Sequence, residues 1–146
     1  MSLKPILIIA DDDDEAREML ATLLAERGYV TRPARDGRDA LMLLGALNGA
    51  PAVLLLDLLM PMSGFEVLDV LANLGRSRDV PVLVLSALAP PADLPFGVVG
   101  YLPKPIDIDL LFRTLESLAS PRGQAAPRGA SPQSHEYGSW IGERGR

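Results

Sequence analysis

The sequence contains no cysteine and only one histidine among its 146 residues. Disulfide bonds and thiolate metal sites are therefore excluded. The longest apolar runs fall far short of the ~20 residues that a membrane-spanning helix needs. The amino terminus also lacks a basic region followed by a signal-length apolar stretch. We therefore expect a cytoplasmic protein that does not insert into a membrane.

Lysine is also scarce, because the chain has twelve Arg but only Lys4 and Lys104. Where arginine is so strongly preferred, a lysine suggests a need for a compact ammonium group, and this draws attention to Lys104. The formal net charge is −5, and four Arg against two Glu in residues 120–146 leave −7 on the first 119 residues. A body this acidic repels a polyphosphate backbone, so we expect no direct nucleic-acid binding.

What the chain does have is hydrophobic residues (48%), arranged in short apolar runs that alternate with segments of helical periodicity. The runs predict five strands, at about 5–10, 29–33, 52–57, 80–85 and 98–102. The periodic segments predict helices at about 14–27, 37–47, 64–73 and 107–119. In the first helix the apolar face is expected to comprise Ala16, Met19, Leu20, Leu23 and Leu24.

Strands that are apolar on both faces and separated by amphipathic helices indicate an α/β fold. Such strands form a doubly wound, five-stranded parallel sheet with helices on both faces. One segment departs from this pattern, because residues 87–97 contain three prolines. Prolines leave room for at most about one turn of helix there. The helix that this fold has between its fourth and fifth strands, the fourth helix of the fold, is therefore expected to be short or degenerate.

Reactive or polar side chains follow four of the five predicted strands. Asp11–Asp14 follow the first strand, Asp57 ends the third, Ser86 follows the fourth and Lys104 follows the fifth. An anion at the mouth of a buried strand is costly unless a cation or a reaction partner requires it. Ligands of doubly wound folds bind beyond the carboxyl ends of the strands, so we expect these groups to form one site.

A carboxylate cluster with a lysine and a hydroxyl suits phosphoryl transfer. Several Asp can hold Mg²⁺, and the metal and an ammonium offset the charge on the phosphoryl oxygens. One carboxylate can act as the nucleophile and form an acyl phosphate, and a serine hydroxyl can donate to a phosphoryl oxygen. Taken alone, Asp11–Asp14 are also explained as a solvated acidic helix start, since carboxylates favour helix N-termini.

Four spaced motifs lie at these strand ends. They are Ile8-Ile9-Ala10-Asp11-Asp12, Asp57 with Met60-Pro61 and Gly64, Ser86-Ala87, and Tyr101-Leu102-Pro103-Lys104-Pro105. In this order they resemble the receiver domains of bacterial two-component response regulators, over residues 5–119. The resemblance implies a flavodoxin-like sheet with strand order 2-1-3-4-5 and a receiver domain over residues 1–119.

The resemblance also implies which residues accept the phosphoryl group and hold the metal. Asp57 would be the phosphoacceptor, attacking the phosphorus of a phosphohistidine on a histidine kinase or phosphotransfer protein. Mg²⁺ would be the cofactor. Asp12 would bind it directly and Asp11 through water, with Asp57 and the backbone carbonyl of Leu59 as further ligands.

The remaining implied roles concern the phosphoryl group and the switch. Ser86 and Lys104 would contact the phosphoryl oxygens, and the Lys104–Pro105 peptide bond would be cis. Tyr101 would act with Ser86 as the switch, turning inward when the hydroxyl engages phosphate.

We therefore expect a stand-alone receiver, not an enzyme, that signals to an unknown downstream protein by altered binding or passes the phosphoryl group along a relay. Two other functions stay open. One is a receiver fold used as a binding module independent of phosphorylation, although such modules typically lose some of the site residues. Asp11-Asp12-Asp13 also faintly suggests a Mg²⁺-dependent phosphatase with an aspartate nucleophile, but a small hydroxyl residue and room for a cap domain are lacking.

Several departures from the family pattern carry predictions of their own. The loop 60–64 is one residue shorter than the common form, the interval 86–104 is short by several residues, and no output domain is expected after residue 119. Leu59 and Leu88 lie two residues beyond Asp57 and Ser86. In the family, polar groups at these places help water to reach the acyl phosphate. We therefore predict slow self-dephosphorylation.

Residues 120–146 are rich in Pro, Gly, Ser and Arg and show no periodicity. They predict a disordered tail. The alternative is a partner-docking segment, for which the cluster Tyr137-Gly138-Ser139-Trp140-Ile141 is the candidate. His135 lies in the same tail and is expected to be exposed rather than catalytic.

Overall fold

The structure, a computed structural model, describes residues 4–76, 79–90, 92–93, 95 and 97–119. The strands are β1 Ile6–Ala10, β2 Thr31–Ala34, β3 Ala52–Asp57, β4 Val82–Ser86 and β5 Val98–Pro103. The helices are α1 Asp14–Glu26, α2 Gly37–Ala46, α3 Gly64–Asn73 and α4 Ile108–Ala119. The strands pair in parallel in the order β2-β1-β3-β4-β5, which confirms the predicted flavodoxin-like topology.

The sheet divides the interior into two hydrophobic cores. Successive side chains of a strand point to opposite faces, and every residue of β3 is buried. Leu54 and Leu56 join the core that lies under α2 and α3, whereas Val53 and Leu55 join the core under α1 and α4. Helices therefore cover both faces, which explains why the β3 run is apolar without alternation.

Side-chain caps fix where the first three helices begin. The Asp13 carboxylate accepts hydrogen bonds from the Glu15 and Ala16 N–H groups at the start of α1. Asp36 caps α2 and Ser63 caps α3 in the same way. Such caps satisfy N–H groups that have no partner within the helix. Asp13 therefore has a structural role in the run of acidic residues.

Helix α1 differs from the prediction in which residues face the core. Its buried residues are Arg17, Leu20 and Leu24, spaced three and four apart on one face. Met19 was expected on this face, but its side chain is 58% exposed, and that expectation is wrong. One residue before Leu20, Met19 is rotated by about 100° around the helix from the buried stripe.

The loop between β3 and α3 closes onto the start of α2. The Gly37 N–H donates to the Pro61 carbonyl at 3.3 Å, and Met62 adopts a left-handed backbone with φ 46°. A Cβ at Gly37 would lie only 2.3 Å from the Met62 carbonyl oxygen. Gly64 is also closely packed, since an added Cβ would lie 2.7 Å from the Asp57 carbonyl oxygen. Two glycines thus allow the short loop to pack against its neighbours.

A short segment connects β4 to β5. Its described residues, 87–90, 92–93, 95 and 97, form no helix, in agreement with the prediction of a short or degenerate helix between these two strands. In the register of the pair, Val82 lies opposite Val98 but Leu83 lies opposite Gly100. Val99 is therefore an extra residue, a bulge in β5 that brings Tyr101 opposite Val84.

Two further predictions concern membrane insertion and the C-terminal tail. Within those residues no helix has the length and apolar character needed to cross a bilayer. The predicted tail 120–146, with His135 and the cluster 137–141, lies outside the described residues.

Candidate functional site

Asp57 lies at the carboxyl end of β3, with only 5% of its surface exposed. Its Oδ1 accepts a hydrogen bond from the Leu59 N–H at 3.1 Å, and its Oδ2 lies 3.3 Å from the Lys104 Nζ. Burial raises the pKa of Asp57 above its usual value, although the Leu59 N–H and the Lys104 ammonium both act to lower it. The anion is thus oriented by two donors but less stable than it would be in water.

Asp11 is the second buried carboxylate and follows β1 directly. Its Oδ1 accepts from the Asp13 N–H at 2.9 Å, and its Oδ2 lies 2.8 Å from the Lys104 Nζ. Asp12, the next residue, is exposed to solvent. The pair therefore offers one carboxylate inside the pocket and one at its mouth.

Lys104 joins the ends of three strands. Its Nζ contacts both Asp11 and Asp57, and its backbone N–H donates to the Ser86 carbonyl at 2.9 Å. Burial lowers the pKa of this lysine, but the contacts with the two carboxylates outweigh it and hold the pKa above the usual value. The Lys104–Pro105 peptide bond is cis, as predicted. The ammonium is therefore charged and directed into the acidic pocket.

The carboxylates of Asp11, Asp12 and Asp57 form a group suited to a metal ion. Each offers an oxygen, and these oxygens all lie within 4.8 Å of one another. An all-oxygen set of carboxylates fits Mg²⁺, which binds through one or two carboxylates and keeps several waters. Lys104 and Arg17 offset only part of the charge of Asp57 and Asp11–Asp14, so a divalent cation also suits the local electrostatics. The predicted fourth ligand, the Leu59 carbonyl, stays a prediction.

Ser86 and Tyr101 lie together beside this pocket. Ser86 is fully buried at the end of β4, and its Oγ accepts from the Leu88 N–H at 3.1 Å. The Tyr101 ring is buried, and its hydroxyl donates to the Leu88 carbonyl. Burial raises the pKa of Tyr101, whereas its hydrogen bond with the Ser86 hydroxyl lowers it. The two predicted switch residues are therefore in contact, with Tyr101 turned inward.

Leu59 and Leu88 lie next to the reactive groups. Their backbone N–H groups contact the Asp57 carboxylate and the Ser86 hydroxyl, respectively. Their side chains are 52% and 39% exposed. The backbones of both leucines therefore adjoin the reactive groups, and the slow self-dephosphorylation predicted from these positions stays a prediction.

Arg17 belongs to the site but was not predicted from the sequence. Only 8% of its surface is exposed. Its Nη1 donates to the Asp11 carbonyl at 2.7 Å, and its Nη2 contacts the Asp14 carboxylate. The available signal was an arginine in the apolar stripe of α1, three residues before Leu20, where a charged residue is seldom buried without a partner.

The fold and the site together define a class of protein. A parallel sheet of order 2-1-3-4-5 carries three aspartates and a lysine at its carboxyl edge, where ligands of doubly wound folds bind. A family model described as the response regulator receiver domain matches residues 7–116. This chain belongs to that family.

Individual relatives are similar at the level of sequence and structure. Response regulator MprA of Mycolicibacterium vanbaalenii is 35% identical over 117 residues, which cover 77% of this chain and 49% of that protein. The receiver domain of the Francisella response regulator 1452 is 31% identical, with a TM-score of 0.67 over 79% of this chain and 96% of that one. TrrA of Thermotoga maritima, solved in complex with Mg²⁺-BeF, is 28% identical with a TM-score of 0.67 over 80% and 99%. The chain thus spans about half the length of MprA.

Proposed function

We propose that this chain accepts a phosphoryl group on Asp57 from a phosphohistidine of a sensor kinase or relay protein, in a Mg²⁺-dependent reaction. The observation that carries the proposal is the contact of one ammonium, Lys104 Nζ, with the buried carboxylates of Asp11 and Asp57. The similar Thermotoga receiver, solved with Mg²⁺ and a beryllofluoride group, supports the same ligand chemistry here.

The transfer step follows from the position of Asp57. A carboxylate oxygen of Asp57 attacks the phosphorus and forms an O–P bond, while the P–N bond breaks and the imidazole leaves with its electron pair. The Leu59 N–H holds Oδ1, which keeps the carboxylate oriented for this attack. Mg²⁺, when bound by Asp11, Asp12 and Asp57, would offset the negative charge on the phosphoryl oxygens.

Lys104 and Ser86 are the groups that respond to the new phosphoryl group. The Lys104 ammonium already lies 3.3 Å from the Asp57 carboxylate, so it is placed to donate to a phosphoryl oxygen. The Ser86 hydroxyl, now in contact with Tyr101, is the second expected donor. A change at Ser86 would reach Leu88 both directly, through the Leu88 N–H, and through Tyr101, whose hydroxyl donates to the Leu88 carbonyl. We propose that the segment around Leu88 reports phosphorylation to a downstream protein.

The wider assignments are proposals of the same kind. We propose that the chain acts in the cytoplasm as a phosphoryl acceptor and not as a turnover enzyme. Its stand-alone action remains a prediction from the sequence.

The direct test is labelling with acetyl phosphate and Mg²⁺, followed by intact mass measurement. We expect the wild type to gain one phosphoryl group and Asp57→Asn to gain none. Asp69→Asn, an exposed carboxylate on α3, is the matched control and should be labelled like the wild type. Equal labelling of Asp57→Asn, or labelling that persists in EDTA, would contradict the proposal.

A second assay separates the acceptor from the phosphatase. The phosphatase reading requires many turnovers of a phosphate monoester such as p-nitrophenyl phosphate, with activity that depends on an aspartate nucleophile. We expect no release beyond one equivalent from the phosphoryl acceptor. Sustained turnover lost in Asp57→Asn would instead establish an enzyme.

A further inference from the structure

We propose that Arg17 is a positioning residue for the metal pocket, acting through the main chain of Asp11. This inference rests on the proposed Mg²⁺-dependent function. Arg17 lies in the second turn of α1 and reaches back six residues along the chain to bond the Asp11 carbonyl at 2.7 Å. Its side chain therefore ties the helix to the backbone of a residue whose carboxylate belongs to the metal-binding group.

The geometry favours an arginine over a lysine at this position. One guanidinium nitrogen bonds the Asp11 carbonyl, and another bonds the Asp14 carboxylate. A planar guanidinium fork can hold two acceptors at once, whereas a lysine ammonium is a compact point charge on a flexible stem. The segment between β1 and α1 consists only of residues 11–13. A bond to the Asp11 carbonyl therefore restrains this connection at its first residue.

The Arg17 bond, unlike the Lys104 contact, is expected to persist after phosphorylation. Lys104 holds the Asp11 carboxylate at 2.8 Å, but the proposed phosphorylation draws the same ammonium toward the phosphoryl group. Arg17 bonds the main chain and leaves the carboxylate of Asp11 available to a metal. Arg17 therefore maintains the position of Asp11 when Lys104 changes partner.

Electrostatics and positioning predict opposite effects for loss of Arg17. A buried cation near a divalent ion repels it, so a purely electrostatic role predicts tighter Mg²⁺ binding when the charge is removed. A positioning role predicts weaker binding in that case. It also predicts weaker binding for Arg17→Lys, in which the charge is kept and the double contact is lost.

The experiment measures Mg²⁺ affinity by titration calorimetry for the wild type, Arg17→Lys and Arg17→Met. We expect each variant to bind Mg²⁺ about tenfold more weakly, the lower end of the loss seen when groups that orient metal ligands are removed. The Mg²⁺ concentration that half-saturates acetyl phosphate labelling should rise by the same factor. The labelling rate at saturating Mg²⁺ should stay within about twofold of wild type, because the chemistry of Asp57 is unchanged.

Two control variants isolate the Asp11 contact. Asp14→Asn removes the charge of the other partner but keeps an oxygen acceptor and the Asp11 carbonyl bond, so its Mg²⁺ affinity should fall less than that of Arg17→Lys. Arg27→Met alters a second α1-associated arginine, which stacks on Phe112 at 3.8 Å and should leave the affinity unchanged. Circular dichroism melting confirms that each variant is folded at the titration temperature.

The outcomes are distinct for this inference and for the proposed function. Wild-type affinity in Arg17→Lys, or tighter binding in Arg17→Met, would overturn the positioning role. If Arg17→Met does not fold, the comparison of Arg17→Lys with Asp14→Asn decides alone. A wild type that neither binds Mg²⁺ nor becomes labelled would instead overturn the proposed function.

Discussion

We expect the side chains of Leu59 and Leu88 to influence what an attacking water meets near Asp57. Both backbone N–H groups are used at the site, one on the Asp57 carboxylate and one on the Ser86 hydroxyl. Their side chains offer no hydrogen-bonding group to orient a water for attack on an acyl phosphate. Hydrolysis by water needs such orientation, because a correctly placed polar group lowers the barrier.

We predict that Leu59→Asn and Leu88→Asn accelerate loss of the acyl phosphate, on the order of tenfold for the double variant, equivalent to about 1.4 kcal/mol in the barrier. The measurement is the decay of the phosphorylated mass after acetyl phosphate is removed. Met42→Asn, at an exposed methionine on α2, is the control and should decay like the wild type. Wild-type decay within seconds would contradict the prediction, as would a double variant that decays no faster.

Single residues differ in how far the sequence could reveal them. Asp11, Asp57 and Lys104 were predictable as neighbours because each ends or follows an apolar run, and parallel strands bring their carboxyl ends to one edge. Arg17 was not, because helical periodicity assigns charged residues to the solvent face. Its burial depends on the Asp11 carbonyl, an acceptor that comes into reach only when β1 and α1 are packed.

At the scale of elements, the start of α2 supports the loop that carries Asp57 into α3. Gly37 lies at the first position of α2 and bonds the Pro61 carbonyl. Its missing side chain leaves space for the Met62 carbonyl and for Val67, whose Cγ2 would lie 2.5 Å from an added Cβ. The loop is thus accommodated by contact with a second helix.

We predict that Gly37→Ala destabilises the protein by about 1–3 kcal/mol, because the added methyl group overlaps a backbone oxygen that cannot move freely. Gly45→Ala in the same helix is the matched control, since its Cβ would meet no atom within 4 Å. That variant should gain about 0.5–1 kcal/mol, the usual effect of replacing glycine in a helix. Urea unfolding measures both. Equal free energies of unfolding for the two variants would contradict this account of the loop.

Element boundaries were predictable where a local signal sets them. The caps Asp13, Asp36 and Ser63 stand directly before α1, α2 and α3, and all three helices begin where the periodicity predicts. Strand β2 begins at Thr31 rather than near residue 29, because Tyr29 and Val30 follow the turn after α1 without joining the strand, although the Val30 carbonyl already accepts from the Leu7 N–H at 2.9 Å. The bulge at Val99 had no local signal, since it exists only in the pairing of β5 with β4.

For the whole molecule, the fold assembles the site at a cost in stability. The strand order brings the ends of β1 and β3 beside each other, and β4 carries Ser86 next to them. Two carboxylates, Asp11 and Asp57, are buried as a consequence. In the absence of metal, Lys104 is the cation that contacts both. A group whose charged form is disfavoured by burial makes the stability of the fold depend on pH.

The sign of this dependence follows from the raised pKa of Asp57, for which burial is the largest cause. Below its usual pKa the carboxyl is protonated in both the folded and unfolded states, so it has no effect on stability. As pH rises toward the folded-state pKa, the unfolded state ionises first and the folded state loses relative stability. Above the folded-state pKa the penalty is complete. Lys104 titrates far above this window, since contacts with both carboxylates outweigh burial and raise its pKa.

We therefore predict that Asp57→Asn melts at a higher temperature than the wild type at neutral pH in EDTA, by on the order of a few degrees. The amide removes the buried negative charge, while Lys104 keeps its contact with Asp11 at 2.8 Å. The advantage should shrink as pH falls through the raised folded-state pKa of Asp57, because the wild-type carboxyl then becomes neutral. Calorimetric melting between about pH 4 and pH 8 measures this difference, with the exposed Asp69→Asn as control. A variant less stable than wild type at neutral pH would show that the Lys104 contact outweighs the burial of Asp57.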